Sequence, residues 1–209
     1  MSDSPLIRIL TVDDHALLRK GIAGLVGAEP DMEVIAEASN GVEAIQQFRE
    51  YRPDVTLMDL QMPDMGGIEA IICIRNEFPE ARIIVLTTYT GDVQVARALK
   101  AGARAFVLKA KLNRELLETI RSVHAGHNRI PLELAAQMAE HAADGELSAR
   151  ELDVLRLIAA GNGNKAIAAR LEIGEETVKS HVTNILAKLH VNDRTHAVTI
   201  AVKRGIMEI

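Results

Sequence analysis

The sequence predicts an α/β domain on a five-stranded, doubly wound parallel sheet, followed by an all-α domain of four helices. Three observations predict it. Over the first 125 residues, short apolar runs alternate five times with amphipathic stretches. Beyond Leu147 every segment has helical spacing and none has strand alternation. Between them, residues 126–146 hold Gly126, Pro131 and Gly145, the punctuation of a linker. A chain of 209 residues has room for two modest domains.

The elements follow in order. Leu6–Val12 is a β-type run, and Ala16–Gly27 has helical spacing. Met32–Ala38 is the next strand and Gly41–Tyr51 the next helix. Val55–Asp59 is a buried strand, followed by helix Gly66–Phe78. Strand Arg82–Thr87, helix Asp92–Ala101, strand Ala105–Lys109 and helix Asn113–Ala125 complete the set. Five β-α pairs of this kind build a parallel sheet with helices on both faces. The linker has one apolar-periodic piece, Leu132–His141, predicted as a short helix. The four later helices are expected at 149–160, 164–171, 175–189 and 193–204. Ser148 followed by Glu151 is a capping box for the first of these.

Composition narrows the function classes. With no Trp, two Tyr and three Phe, both cores must be aliphatic. The net charge of −5 argues against nucleic-acid binding for the chain as a whole. Residues 1–125, however, carry 14 Lys/Arg against 18 Asp/Glu, while residues 146–209 carry 9 against 8. A DNA contact in the second domain must therefore come from locally clustered cations. The single cysteine, Cys73, lies in the apolar run Ile71-Ile72-Cys73-Ile74 and reads as a buried small hydrophobe. The start of the chain, Met1-Ser2-Asp3-Ser4-Pro5, has no basic or apolar leader. No apolar run approaches the length of a membrane span. The expected location is the cytoplasm, with no membrane partner.

In an open parallel sheet, ligands collect at the carboxyl ends of the strands. Asp13 and Asp14 follow the first strand, Asp59 ends the third, Thr87 the fourth and Lys109 the fifth. Three carboxylates converging on one point repel one another unless a cation intervenes, and oxygen-only ligands favour Mg²⁺. Any one of these residues alone reads as a turn former, a β-former or a solvated charge. The constellation carries the argument.

Val12-Asp13-Asp14-His15, Leu57-Met58-Asp59-Leu60-Gln61-Met62-Pro63, Leu86-Thr87-Thr88 and Phe106-Val107-Leu108-Lys109 resemble the receiver domains of response regulators, in order and spacing, over residues 6–125. The resemblance implies that Asp59 accepts a phosphoryl group from the phosphohistidine of a sensor histidine kinase. It implies direct Mg²⁺ ligation by Asp14 and Asp59, a water-mediated contact from Asp13, and a further ligand in the Gln61 backbone carbonyl. The chemistry of the residues agrees. Asp59 supplies an in-line nucleophile, Mg²⁺ and Lys109 each neutralise an equatorial oxygen, and the Thr87 hydroxyl bonds a third.

Phe106 stands where this family often has a switching Tyr, which implies a switch without a hydroxyl to bond outside. Ala110 departs from the Lys-Pro of many receivers and leaves the form of that loop open. Gln61 and Tyr89 stand where the family tunes loss of the phosphoryl group; the bulk of Tyr89 is expected to shield it from water and slow its loss.

In the second domain, helix 164–171, the turn Glu172-Ile173-Gly174 and helix 175–189 have the lengths of a helix-turn-helix. Val178, Val182, Ile185, Leu186 and Leu189 form one apolar stripe. Lys179, Ser180, Thr183, Asn184 and Lys188 form a polar face suited to a major groove. The strings Leu147–Glu151, Gly161–Ala168, Thr177–Val182, Ile185–Leu189 and Asn192–Thr195 closely resemble the LuxR-type helix-turn-helix, and with the receiver they define the NarL/FixJ class.

That resemblance implies base contacts from Lys179, Ser180 and Thr183, and phosphate contacts from Asn164, Lys165, Thr177 and Lys188. Its implied partners are a double-stranded DNA operator, a second copy of the chain when phosphorylated, and RNA polymerase. The apolar stripe Ala197/Ile200/Ala201 of the last helix suits dimerisation or packing inside the domain equally. The expected function is a DNA-binding transcriptional regulator, not an enzyme, switched by phosphorylation of Asp59. The alternatives are a receiver-fold regulator working without phosphorylation and a Mg²⁺-dependent aspartyl-phosphate hydrolase. The hydrolase lacks a general acid two residues past Asp59, where Gln61 stands.

Overall fold

The computed structural model describes residues 6–88, 92–132, 135–136 and 146–207, and divides the chain into a sheet unit and a helical unit. The sheet unit contains β1 (Ile7–Val12), β2 (Met32–Ala38), β3 (Val55–Asp59), β4 (Ile83–Thr87) and β5 (Ala105–Leu108). Its helices are α1 (Ala16–Gly27), α2 (Gly41–Tyr51), α3 (Gly67–Glu77), α4 (Asp92–Ala101, which belongs to this unit from Val95 onward) and α5 (Leu112–His124). The strands are all parallel, in the order β2-β1-β3-β4-β5. β3 and β4 are buried along their whole length, which is why both are mostly apolar and lack a solvent-facing polar alternation.

On one face, Ile9, Leu57, Leu86 and Val107 pack with Ile22 and Val26 of α1 and Leu116, Ile120 and Val123 of α5. Leu10, Met58, Val85 and Phe106 alternate with these and are equally buried, as are Ala44 and Phe48 of α2 and Ile71 and Ile74 of α3. Cys73, expected inside, is exposed. Ile71 and Ile74 take the inward positions of α3, which turns Ile72 and Cys73 outward; Ile72 is 44% exposed.

The loop after β5 is a single 3-10 turn, Lys109–Lys111, which feeds directly into α5 and gives the form that Ala110 left open. Past α5 the chain returns to the sheet. Arg129 bridges Ala105 in parallel, its N–H donating to the Arg104 carbonyl at 3.0 Å and its carbonyl accepting from Phe106 N–H at 3.1 Å. The sheet unit thus continues to Ala135. Most of the helix expected at Leu132–His141 lies outside the described residues, as does Tyr89.

The helical unit contains α6 (Ala149–Ala159), α7 (Asn164–Leu171), α8 (Glu175–Lys188) and α9 (Arg194–Lys203). The capping box is present: Ser148 Oγ accepts from Glu151 N–H, and the Glu151 side chain accepts from Ser148 N–H. Val154, Leu155, Ile158, Ile167, Val178, Ile185 and Leu189 form the core. Ala197 and Ala201 of α9 are buried in that core, with Ile200 packed against it. The apolar stripe of the last helix therefore serves its own domain. Among the described residues, no helix is long and apolar enough to cross a membrane.

Candidate functional sites

The strand order reverses direction at β1, so the carboxyl ends of β1 and β3 flank the switch point of the sheet. Asp13 and Asp59 are both buried there. The Lys109 ammonium lies 2.8 Å from Asp13 Oδ2 and 2.6 Å from Asp59 Oδ2 and so bridges the two carboxylates. Burial raises the Asp59 carboxyl above the ordinary range, although Lys109 pulls it back. Burial alone would lower the Lys109 ammonium, but its bonds to Asp13 and Asp59 outweigh that and hold it above the ordinary value. Asp14 is more exposed and contacts His15, whose Nδ1 lies 2.7 Å from Asp14 Oδ1 and 3.2 Å from Asp13 Oδ1. Asp59 Oδ1 faces the Gln61 N–H at 3.4 Å. Thr87 is buried at the end of β4.

The turn after Asp59 is held from below. Gly67 N–H donates to the Leu60 carbonyl at 3.0 Å, and the Met65 carbonyl accepts from Gly41 N–H at 3.0 Å. A Cβ on Gly67 would overlap the Asp59 carbonyl oxygen, so the α3 backbone approaches Asp59 more closely than any side chain permits. Asp64 completes the turn with φ of 63°. Phe106 is buried on β5.

The donor set is one that can hold a metal ion. Ligand atoms of Asp13, Asp14, His15 and Asp59 all lie within 4.8 Å of one another. Asp13 Oδ2 is buried with no well-directed hydrogen bond and is met through charge by Lys109. Three carboxylates share the one ammonium of Lys109 here, and a divalent cation would supply the remaining charge.

The helix-turn-helix has the expected form. Glu172 ends α7 in the left-handed region, its N–H donating to the Ala168 carbonyl, and α8 begins after Gly174. Val178 and Ile185 of α8 face the core, while Thr177, Lys179, Ser180, Thr183 and Asn184 are exposed together on the other side. The hydroxyls of Ser180 and Thr183 donate to the carbonyls of Glu176 and Lys179. The Lys179 ammonium lies 2.6 Å from Glu176 Oε1, a pair that raises the lysine above its ordinary value. Asn164 accepts a hydrogen bond from Arg194, and Lys165 is exposed at the start of α7.

Lys188, expected among the phosphate contacts, has an internal partner. Its ammonium lies 2.7 Å from Glu151 Oε2 and donates to the Glu146 carbonyl at 3.0 Å. The Glu151 side chain is 5% exposed. Burial alone would raise its carboxyl, but Lys188 and Ser148 hold it below the ordinary range. The pair ties the end of α8 to the start of α6, and a phosphate would have to compete with it. Sequence reasoning saw the capping box but missed this tie, because Glu151 and Lys188 are 37 positions apart and on different helices.

Lys188→Ala leaves the buried Glu151 carboxylate without its counter-charge and held by the Ser148 N–H. Removing one partner of a buried pair costs about 3–5 kcal/mol; with the lysine partly exposed, about 1–2 kcal/mol is expected here. Urea unfolding of the chain measures the loss, and Glu151→Gln in the same background should recover part of it. A purely phosphate-binding Lys188 would leave stability unchanged and reduce the salt slope of DNA binding instead.

Residues 9–121 match the family model of the response regulator receiver domain, and residues 145–201 match that of bacterial regulatory proteins of the luxR family. Across its length the chain is similar to the transcriptional regulatory protein YhcZ of Bacillus subtilis, at 43% identity over 96% of this chain and 97% of that one. It is 42% identical to the transcriptional regulatory protein LiaR of the same organism, over 94% of this chain and 97% of that one. Among solved structures it resembles the response regulator ChrA of a heme-sensing two-component system, at 30% identity and a TM-score of 0.59, covering 98% of this chain and 100% of that one.

Proposed function

The chain belongs to the response regulators that join a receiver domain to a LuxR-type DNA-binding domain, and we propose that phosphorylation of Asp59 by a sensor histidine kinase switches its binding to DNA. The observation that carries this reading is the Lys109 ammonium set between the buried carboxylates of Asp13 and Asp59. One carboxylate is the nucleophile, and the ammonium beside it meets the charge that the incoming phosphoryl group brings.

An Asp59 carboxylate oxygen attacks phosphorus as the P–N bond of the phosphohistidine breaks, and the electron pair leaves on the imidazole. Lys109 then shifts from its carboxylate pair to a phosphoryl oxygen, and the Thr87 hydroxyl donates to another. Mg²⁺, held by Asp13, Asp14, Asp59 and the Gln61 carbonyl, would neutralise phosphoryl charge. Phosphorylation is thus a signal received rather than a turnover performed, and the chain acts as a cytoplasmic regulator rather than an enzyme. Lys179, Ser180 and Thr183 are assigned to base edges, with Asn164, Lys165 and Thr177 at phosphates. Homodimerisation of the phosphorylated form would place two copies of α8 on two half-sites, where RNA polymerase can be engaged. Footprinting on genomic DNA with and without acetyl phosphate and Mg²⁺ tests the proposal: protection should strengthen with the donor, and identical footprints would refute phosphorylation control.

Lys179→Ala should lower specific affinity by about 1–3 kcal/mol and relax preference at one base pair. A uniform loss on all sequences, with a salt slope smaller by about one, would move Lys179 to the phosphates. Titrations at several salt concentrations separate the two.

A further inference from the structure

His15 sits in the acidic cluster, and nothing in the phosphoryl chemistry above uses it. We propose that His15 Nδ1 is a ligand to the cation of this site, adapting it to a first-row transition cation as well as Mg²⁺. The proposal rests on the reading of the Asp13, Asp14 and Asp59 cluster as a cation site.

The geometry fits shared coordination. Two ligands at right angles and 2.0–2.1 Å from one ion stand about 3 Å apart. His15 Nδ1 is 2.7 Å from Asp14 Oδ1 and 3.2 Å from Asp13 Oδ1, so the three atoms are spaced as neighbours in one coordination shell. The oxygens are also divided. Lys109 takes Oδ2 of Asp13 and of Asp59, whereas Oδ1 of Asp13 and of Asp14 face the imidazole.

The backbone of His15 is fixed independently of its ring. Its N–H donates to Asp13 Oδ1 at 2.8 Å, and its carbonyl accepts from Leu18 and Arg19 at the start of α1. The side chain is 71% exposed and is not a packing element, and as the residue before α1 it makes no side-chain capping bond. An imidazole nitrogen is a borderline ligand that suits iron, nickel and zinc, whereas Mg²⁺ prefers oxygen. The simpler arrangement is an imidazole that only hydrogen-bonds the two aspartates, and the two make different predictions.

Co²⁺ is the probe. The metal-free full chain is titrated by calorimetry with Co²⁺ and with Mg²⁺, as wild type, His15→Ala and Asp14→Ala. The exposure of the ring leaves the fold of His15→Ala intact, which circular dichroism checks. For wild type, Co²⁺ should produce a hyperfine-shifted, exchangeable imidazole N–H proton resonance that excess Mg²⁺ removes. His15→Ala should lose that resonance and bind Co²⁺ about tenfold more weakly or worse, since loss of even an outer-shell partner of a metal costs that much. Its Mg²⁺ affinity should change by less than about twofold, because Mg²⁺ gains little from nitrogen. A resonance that survives in His15→Ala, or equal effects on both cations, would overturn the ligand role while leaving the cation site standing. Wild type that binds neither cation, or binding indifferent to Asp14→Ala, would overturn the cation site and the ligand role together.

Discussion

Asp59→Asn should reduce labelling by radioactive acetyl phosphate from near one phosphoryl group per chain to none. The amide has the volume of the carboxylate but no anionic oxygen to attack phosphorus, and Asp13 keeps Lys109 in place at 2.8 Å. Stability provides a second readout. Burial raises the Asp59 carboxyl, so in the metal-free protein folding favours its protonated form. An acid raised on folding contributes most below its unfolded pKa, and that contribution is lost as pH rises through the folded value. At neutral pH with chelator present, the neutral Asn should therefore melt at or above wild type. Label that persists on Asp59→Asn would remove Asp59 from its role. A variant that melts well below wild type would show that Lys109 depends on the Asp59 charge more than burial penalises it.

Gly67→Ala should be among the most disruptive single-methyl changes in the sheet unit. The added Cβ meets backbone on the Asp59 side rather than the end of a flexible side chain, so no rotamer relieves it. A cost of about 3 kcal/mol is expected, the upper end for overpacking, and hence a melting temperature lower by roughly 10 °C. If the turn shifts to make room, the Asp59 carbonyl moves with it and phosphoryl incorporation slows even where the variant folds. Thermal denaturation followed by labelling of the folded fraction separates the effects. A variant matching wild type in both would mean that α3 is free to back away from the sheet.

The acidic cluster with Lys109 was legible because its members stand at a strand end or just past one, and strand ends in a parallel sheet converge. Val55–Asp59 is the plainest case: an apolar run closes on a single carboxylate, and the structure puts that carboxylate beside Lys109. Face assignment failed at Cys73 because four successive apolar residues cover the whole circumference of a helix turn. Their composition does not say which two look outward. The return of Arg129 to β5 was unreadable for another reason. His127–Ile130 has no alternation, and its pairing depends on where α5 ends in space. His15 was quoted in its motif without a role, since its neighbourhood with both aspartates arises from the turn out of β1 rather than from spacing.

An open sheet offers two unpaired margins to any strand that diffuses past. Here each margin is closed by different means. Along β2, Glu33 and Glu37 stand exposed, and the ladder to β1 slips register between Ile9 and Leu10, so an added strand would meet carboxylates and an uneven row of amides. Along β5, Arg129 has already taken the Phe106 N–H and the Arg104 carbonyl. Both margins are thus poor templates for pairing with a further strand.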